Sequence, residues 1–283
     1  MIFNRRLANI SIKKWILGIS FFLLLSGFLI LQKEAYPPMR NESFARGEVL
    51  EYKMNYGFFT IGKGSAQVYP QYYKMNKRDC FRVEIRGKTV GVMDWVANLD
   101  DLWGAYVDTA ALIPHQFFRK IKEGRSYTKD EWTNFDQVNN RIEVKSLDRE
   151  TKKMKEPLYY DAPAQVRDMI SGYLLLRNID FSKIKPKDTI NVPGFFEDAF
   201  YNMKIIYKGK ETLKTKIGKV RAIVLVPIMP DNKIFDGENS VSAWFSDDKN
   251  RIPLKISAEL FIGSGEVELV GYSGLKNPLN FVK

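Results

Sequence analysis

Apolar and polar residues alternate along most of this chain, and a period of two residues predicts β-strands. In the segment Gly47–Tyr56, one face carries Leu50, Tyr52, Met54 and Tyr56. Similar patterns cover Thr60–Tyr69, Phe81–Thr89, Leu102–Val107, Gln116–Glu123, Tyr127–Asp136, Arg141–Leu147, Thr189–Val192, Phe200–Tyr207, Glu211–Thr215, Arg221–Val226, Ser240–Phe245, Leu254–Leu260 and Glu266–Tyr272. Short turn segments separate these patterns, which is typical of antiparallel sheets.

One segment between the two sets of strands has the three- and four-residue spacing of a helix. Asp161 and Pro163 mark its start, and its stripe consists of Val166, Met169, Ile170, Tyr173, Leu174 and Arg177. We expect this stripe to pack onto a sheet, and Arg177 to interact with the last carbonyls of the helix. The sequence therefore predicts a mainly β fold, a large curved antiparallel sheet or half-open barrel with one packed helix.

The N-terminus has a different pattern, in which a basic segment precedes an apolar one. Residues 1–14 contain four basic residues and no acidic one, and residues 15–31 are predominantly apolar. This predicts a membrane anchor or signal peptide over 1–34, a linker over 35–43 and a single β-rich exported domain over 44–283. The length of the apolar segment fits an uncleaved anchor in the inner membrane or a cleaved signal, and both stay open. Either case places the domain on the periplasmic side of the inner membrane.

Composition and charge exclude several classes of function. Of the 283 residues 45% are hydrophobic, which excludes a disordered chain, and the net charge is +11. The basic residues are dispersed among acidic ones, so we expect no nucleic-acid partner. Cys80 is the one cysteine and His115 the one histidine. No internal disulfide or site with several imidazoles can form, and we predict no metal site and no cofactor.

The residues that could perform catalysis have structural explanations. We expect His115 at an ordinary surface or edge position, and Cys80 in a structural position at the start of a strand. The pair Asp247-Asp248 lies in a polar segment typical of a turn. No catalytic residue is therefore assigned, although a polysaccharide hydrolase could still bring Asp101 together with Asp247 or Asp248 from distant strands.

Tryptophan residues are the candidates for ligand binding. A curved sheet covered by one helix can leave an apolar concavity, which is the usual shape of a site for a lipid or another apolar molecule. Trp103, Trp132 and Trp244 lie in or beside predicted strands and are the residues that we expect to contact such a ligand.

Four stretches of sequence resemble a known bacterial envelope family. They are FARGEVLEY at 44–52, IGKG at 61–64, RDMIS at 167–171 continuing to Leu176-Arg177, and WFSDD at 244–248 with RIP at 251–253. In this order they resemble the family catalogued as domain of unknown function 3108, over residues 44–273. The resemblance implies an exported β-rich domain and no established activity. More loosely, the predicted fold is similar to that of lipoprotein carriers and receptors.

These observations favour a non-enzymatic cell-envelope protein that binds an apolar or amphiphilic ligand, such as a lipid or a lipoprotein, in the concave face of a curved sheet. A structural or assembly protein that binds another envelope protein is the main alternative, and the carboxylate-based hydrolase is a third. The sequence leaves the oligomeric state open.

Overall fold

Antiparallel strand pairs organise the protein from its first strand to its last. The computed structural model describes residues 36–228 and 240–282. Its strands are β1 (Val49–Tyr56), β2 (Phe59–Val68), β3 (Tyr73–Met75), β4 (Arg78–Thr89), β5 (Asp100–Asp108), β6 (Pro114–Glu123), β7 (Tyr127–Asp136), β8 (Arg141–Asp148), β9 (Lys153–Met154), β10 (Leu158–Asp161), β11 (Thr189–Phe196), β12 (Ala199–Thr215), β13 (Gly218–Pro227), β14 (Val241–Ser246), β15 (Pro253–Glu259) and β16 (Ser264–Ser273).

All sixteen described strands belong to one open sheet, with the order β10-β8-β7-β6-β5-β4-β2-β1-β16-β15-β14-β13-β12-β11. The short strands β3 and β9 pair with β4 and β8. Because β1 pairs with β16, the strands before and after the central helix form a continuous sheet and not two separate ones. The predicted fold class, mainly β with one large antiparallel sheet, is confirmed.

The described residues form two helices, α1 (Val92–Val96) and α2 (Met169–Asn178), and a short 3-10 turn at Phe181–Lys183. On one side of α2, Ile170 and Leu174 join a core cluster formed by β2 and β4–β8. On another side, Tyr173 and Leu176 pack against a cluster formed by β11–β14. Since both halves of the sheet pack against the same helix, the sheet curves around α2.

The predicted start of α2 is wrong, because the helix begins at Met169 and not near Asp161. The preceding backbone is committed to β11: Arg167 N donates to Pro193 O, and Phe195 N donates to Arg167 O. This pairing holds the chain extended up to Asp168. The pattern also missed α1, and it divided β12, which is a single strand with a bulge between Tyr207 and Gly209.

The segment predicted to be a linker packs against the domain. Met39 N donates to Ala110 O at 2.7 Å, and Ser43 is buried. The predicted membrane segment, residues 15–31, lies outside the described residues. Within 36–228 and 240–282, no helix combines the length and apolar character needed to cross a membrane.

Arg177 holds three distant parts of the chain together, and the prediction that it interacts with the last carbonyls of its own helix is wrong. Its Nη1 donates to Glu48 Oε1 at 2.5 Å, and both side chains are buried. Its Nε and Nη2 donate to the backbone carbonyls of Asn250 and Ser43. A buried guanidinium needs such partners because desolvation of an unpaired charge is very costly.

Candidate ligand-binding cavity

An apolar cavity of about 370 Å³ lies between α2 and the hairpin of β11 and β12. Its volume is within the range of small-molecule sites in proteins. The half-exposed side chains of Met169 and Tyr201 lie on its open side. The other lining residues are Arg167, Asp168, Gly172, Tyr173, Leu176, Val192, Gly194, Phe195, Phe196, Met203 and Ile205. None of the lining residues is Ser, Thr, Cys or His, which are common nucleophiles or bases.

Two glycines keep this space open. Gly172 lies on the helix wall, where a Cβ atom would contact Val192 Cγ1 at 3.4 Å. Gly194 lies on the sheet wall, where a Cβ atom would stand 3.4 Å from Arg167 O. Both distances are ordinary van der Waals contacts, so the absence of side chains at Gly172 and Gly194 leaves the space between helix and sheet unfilled without being required for the backbone pairing.

Asp168 supplies the carboxylate of the cavity, and its position follows from its role as the N-cap of α2. Its Oδ1 accepts hydrogen bonds from Ile170 N at 2.6 Å and from Ser171 N at 2.8 Å. Ser171 Oγ in turn accepts from Asp168 N, which completes a reciprocal capping arrangement. Within 36–228 and 240–282, Oδ2 has no hydrogen-bond partner, although the residue is only 3% exposed.

Burial shifts the electrostatics of this region. Burial raises the pKa of Asp168 to about 6, against the opposing effects of the Ser171 and Ile170 amides and of Arg167. Burial also lowers the pKa of Arg167 to about 10, with Asp168 opposing the shift. Arg167 Nη1 donates to the carbonyls of Leu112 and Ser171. The cavity thus combines apolar walls with one carboxylate that is poorly compensated.

The three tryptophans predicted to bind a ligand do not line this cavity. Trp103 packs against the core cluster of β2 and β4–β8, and Trp132 lies half-buried on β7. The indole of Trp244 donates to Glu211 Oε1 at 2.6 Å, with Lys255 Nζ 5.7 Å from its ring centre. Their role in binding stays a prediction. The capping pattern Asp168-x-x-Ser171 is the sequence signal that could have indicated the start of α2, and with it the position of this carboxylate.

A second, polar region lies around His115, and the prediction of a surface or edge position for this residue is wrong. His115 is 2% exposed and lies on β6, an interior strand of the sheet. Its Nε2 donates to Asp108 Oδ2 at 3.3 Å, and its Nδ1 accepts from Asn76 Nδ2 at 3.2 Å. Tyr36 stacks on the imidazole ring. The segment before β1 therefore covers a side chain that the strand pattern alone would expose.

Asp108 is the centre of this polar cluster, which comprises Asp108, His115, Arg78, Asn76 and Tyr36. Burial alone would raise the pKa of Asp108, but hydrogen bonds from His115, Arg78 and the amides of Ala110 and Ala111 outweigh it. The pKa is therefore held below its usual range. Both carboxylate oxygens accept hydrogen bonds, from Arg78, His115 and the two amides.

The other residues considered for catalysis have separate partners. Cys80 is buried, and burial raises the pKa of its thiol to about 12, which disfavours the reactive thiolate. Asp101 accepts from Lys122 N, and Asp247 pairs with Lys210 at 2.8 Å. Asp248 accepts from Asn250 N within the predicted turn, which the structure confirms. Within 36–228 and 240–282, no group of three or more His, Cys, Asp or Glu side chains is arranged for a metal ion.

The fold and the cavity together define a β-barrel-like protein whose single sheet curves around an internal helix. The chain belongs to the family described as protein of unknown function (DUF3108), which matches residues 51–270. This confirms the resemblance carried by the four sequence stretches. No curated protein matches the sequence.

The structure matches solved structures at low sequence identity. A β-barrel-like protein of domain of unknown function DUF1849 from Brucella abortus has a TM-score of 0.51 and 9% identity, covering 82% of this chain and 99% of that one. A hypothetical protein from Chlamydia trachomatis has a TM-score of 0.35 and 8% identity, covering 84% and 93%. A candidate lipoprotein from Parabacteroides distasonis has a TM-score of 0.28 and 10% identity, covering 84% and 100%. Only the first supports a statement about this chain, and that statement is the fold.

Proposed function

We propose that this protein is a non-enzymatic cell-envelope protein that binds an apolar or amphiphilic ligand between α2 and the β11–β12 hairpin. The observation that carries the proposal is the 370 Å³ cavity, whose walls are chiefly aromatic and aliphatic. Each methylene group that leaves water on binding contributes about 0.8 kcal/mol. An alkyl or acyl chain is the kind of molecule that uses such walls.

The proposed location is the periplasmic side of the inner membrane, with the domain anchored or released by cleavage. The basic residues of 1–14 and the apolar segment 15–31 support this location, because basic flanks stay on the cytoplasmic side. Binding requires no cofactor or nucleic acid in this proposal, and its partners are the inner membrane and a lipid or lipoprotein ligand.

Lipid extraction from the purified full-length protein tests the proposal. A leucine side chain at position 172 would extend from the helix into the cavity, so Gly172→Leu should abolish the bound species seen by mass spectrometry. Gly265→Leu is the matched control, because a Cβ atom there meets nothing within 4 Å. Equal amounts of bound lipid in both folded variants would contradict the cavity as the site.

A second candidate function, binding of another envelope protein, is favoured by an exposed apolar rim at one end of the sheet. The tips of the β1–β2 and β15–β16 hairpins are joined by a hydrogen bond from Tyr56 Oη to Ile262 O, and α1 follows β4 next to β2. The rim consists of Phe58, Phe59, Val92, Trp95, Val96, Phe261 and Ile262. Exposed apolar side chains grouped at one end of a sheet are typical of protein contacts.

In-cell photocrosslinking tests this alternative. A photoreactive residue at Trp95 should give a discrete protein adduct, whereas one at Lys216, on the exposed β12–β13 turn, should not. Identical crosslinked adducts at the two positions would contradict a specific partner contact at the rim.

A further inference from the structure

One residue that lines the cavity has a buried oxygen without a hydrogen-bond partner among the described residues. In the described part of the chain, three buried side-chain polar atoms lack a hydrogen-bond partner, namely Arg119 Nη2, Asp168 Oδ2 and Ser240 Oγ. Of these three residues, only Asp168 lines the apolar cavity. A buried carboxylate oxygen without a partner costs free energy, so a ligand that supplies a hydrogen-bond donor would bind with an additional gain.

We propose that the ligand is an amphiphile whose head group is a hydrogen-bond donor, with an ammonium preferred over a hydroxyl, and that this head donates to Asp168 Oδ2 while the tail contacts β11 and β12. The inference rests on the proposed function and adds the chemical class of the ligand.

The geometry of the helix cap supports a donor head. The two amides Ile170 N and Ser171 N already bind Oδ1, which fixes the carboxylate plane and leaves Oδ2 as the remaining acceptor. An ionised carboxylate only accepts hydrogen bonds, and a charge-assisted bond from an ammonium is roughly twice as strong as a neutral one. An anionic head would be repelled by Oδ2. It would also find the amides of Ile170 and Ser171 already bound to Oδ1, and these are the donors that a free helix N-terminus offers to an anion.

The neighbouring cation does not complete the site. Arg167 Nη1 binds the carbonyl oxygens of Leu112 and Ser171, so these contacts are with carbonyls and not with Asp168. The walls on β11 and β12 are formed by Val192, Gly194, Phe195, Phe196, Tyr201, Met203 and Ile205. Apart from the hydroxyl of the half-exposed Tyr201, these residues offer apolar contacts, which places the polar end of an amphiphile at the start of α2.

The head-group preference can be measured with three probes that share one alkyl chain. Dodecylammonium and dodecanoate, each below its critical micelle concentration, and dodecan-1-ol, below its solubility limit, are titrated at pH 7.5 into the full-length protein by calorimetry. We expect wild type to bind dodecylammonium about tenfold more tightly than dodecanoate, with dodecan-1-ol between them. This order opposes the net charge of +11, which would favour the anion at a nonspecific surface.

Asp168→Asn is the decisive variant, because an asparagine still caps the helix through Oδ1 and replaces the Oδ2 acceptor with an NH₂ donor. It should reverse the preference between ammonium and carboxylate. If the asparagine variant does not fold, Asp168→Ser replaces it in the experiment, because serine also caps helices. This variant should show no preference between ammonium and carboxylate. Asp180→Asn is the matched control, since Asp180 caps the 3-10 turn at an exposed position and accepts from Ser182 N.

The outcomes separate this inference from the proposed function. Equal binding of the three probes by wild type, unchanged in Asp168→Asn but abolished in Gly172→Leu, would overturn the head-group inference and leave the apolar site intact. Failure of wild type to bind any of the three would overturn both. Reversal in Asp168→Asn with wild-type behaviour in Asp180→Asn is the result that the inference requires.

Discussion

Two buried aspartates in this protein have the same side chain and opposite electrostatics. Asp108, in the polar cluster around His115, accepts hydrogen bonds on both carboxylate oxygens, and its pKa lies below the usual range. Asp168, at the apolar cavity, has partners on one oxygen only, and burial raises its pKa to about 6. Both residues are almost inaccessible to solvent.

The difference shows that burial alone does not decide the role of a charged residue. The polar cluster is complete, so its carboxylate stabilises the native fold. The cavity keeps one acceptor free, and such an acceptor contributes to function only when another molecule supplies the donor. A buried polar atom that lacks a partner therefore indicates a functional site better than the residue types that are present.

The largest expected change in stability comes from a substitution that disrupts the polar cluster. Asp108→Ala leaves His115, Arg78 and two backbone amides without their acceptor, and should lower the free energy of unfolding by about 3–5 kcal/mol. At pH 7, where the contribution of its raised pKa is lost, Asp168→Asn preserves the helix cap and should change it by no more than about 1 kcal/mol. Urea denaturation of both variants measures the contrast, and similar losses in the two would show that the roles of the aspartates do not differ as stated.

The next effect concerns the pH dependence of stability. Because the pKa of Asp168 rises from its usual 3.8 to about 6 on folding, the folded state binds this proton more tightly than the unfolded state. Its contribution is complete below pH 3.8, is lost as pH rises through 6, and amounts to at most about 3 kcal/mol. Subtracting the unfolding free energies of Asp168→Asn from those of wild type between pH 4 and 7 isolates it.

Asp108 provides the opposite sign in the same experiment. Because its folded pKa is lowered, its contribution is present above the usual value of 3.8 and disappears as pH falls below it. A difference curve for Asp168→Asn that is flat from pH 4 to 7 would contradict the raised pKa of that residue.

A smaller effect tests whether the cavity has room. Gly172→Ala places a methyl group at 3.4 Å from Val192 Cγ1 and removes backbone freedom within a helix. It should raise the free energy of unfolding by about 0.5–1 kcal/mol, as glycine is less favourable than alanine there. Thermal denaturation measures this change, and a destabilised variant would indicate that helix and sheet are already in tight contact.

The smallest expected effect concerns the tryptophans. Trp244→Phe removes the hydrogen bond to Glu211 but lies outside the cavity, so we expect the affinity for dodecylammonium to change by less than about twofold. Trp103→Phe and Trp132→Phe should behave alike. A large loss of affinity in any of the three would indicate that the ligand contacts the tryptophans and not the cavity.

The strands were largely predictable, whereas the boundaries of the helix and the location of His115 were not. Period-two alternation reports which side chains share a face, and this depends only on local geometry. The start of α2 depends on pairing between Arg167 and β11, and the burial of His115 depends on Tyr36, Asn76 and Asp108. Apart from Asp108, which is seven residues from His115, these partners are far away in the chain or lie in a segment without periodicity.

The candidate site could be predicted only as a class. The curved sheet and its single helix indicated an apolar concavity, and the tryptophans were the residues expected to contact a ligand there. Which aromatics line the space was decided by the path of β11 and β12 around α2. The tryptophans lie elsewhere on the same sheet. The side-chain pattern could not predict this, because it does not tell which part of a curved face the helix leaves uncovered.

By itself, the sequence determined the mainly β fold, the family and the helix that the sheet surrounds, because each is recorded in local periodicity or in ordered short stretches of residues. Only the tertiary structure decided which buried charged groups have all their hydrogen-bond partners. Arg177 pairs with Glu48 and Asp108 accepts from His115, whereas one oxygen of Asp168 has no partner among the described residues. The physical reason is that the cost of a buried charge depends on all of its neighbours in space, and these neighbours come from separate parts of the chain.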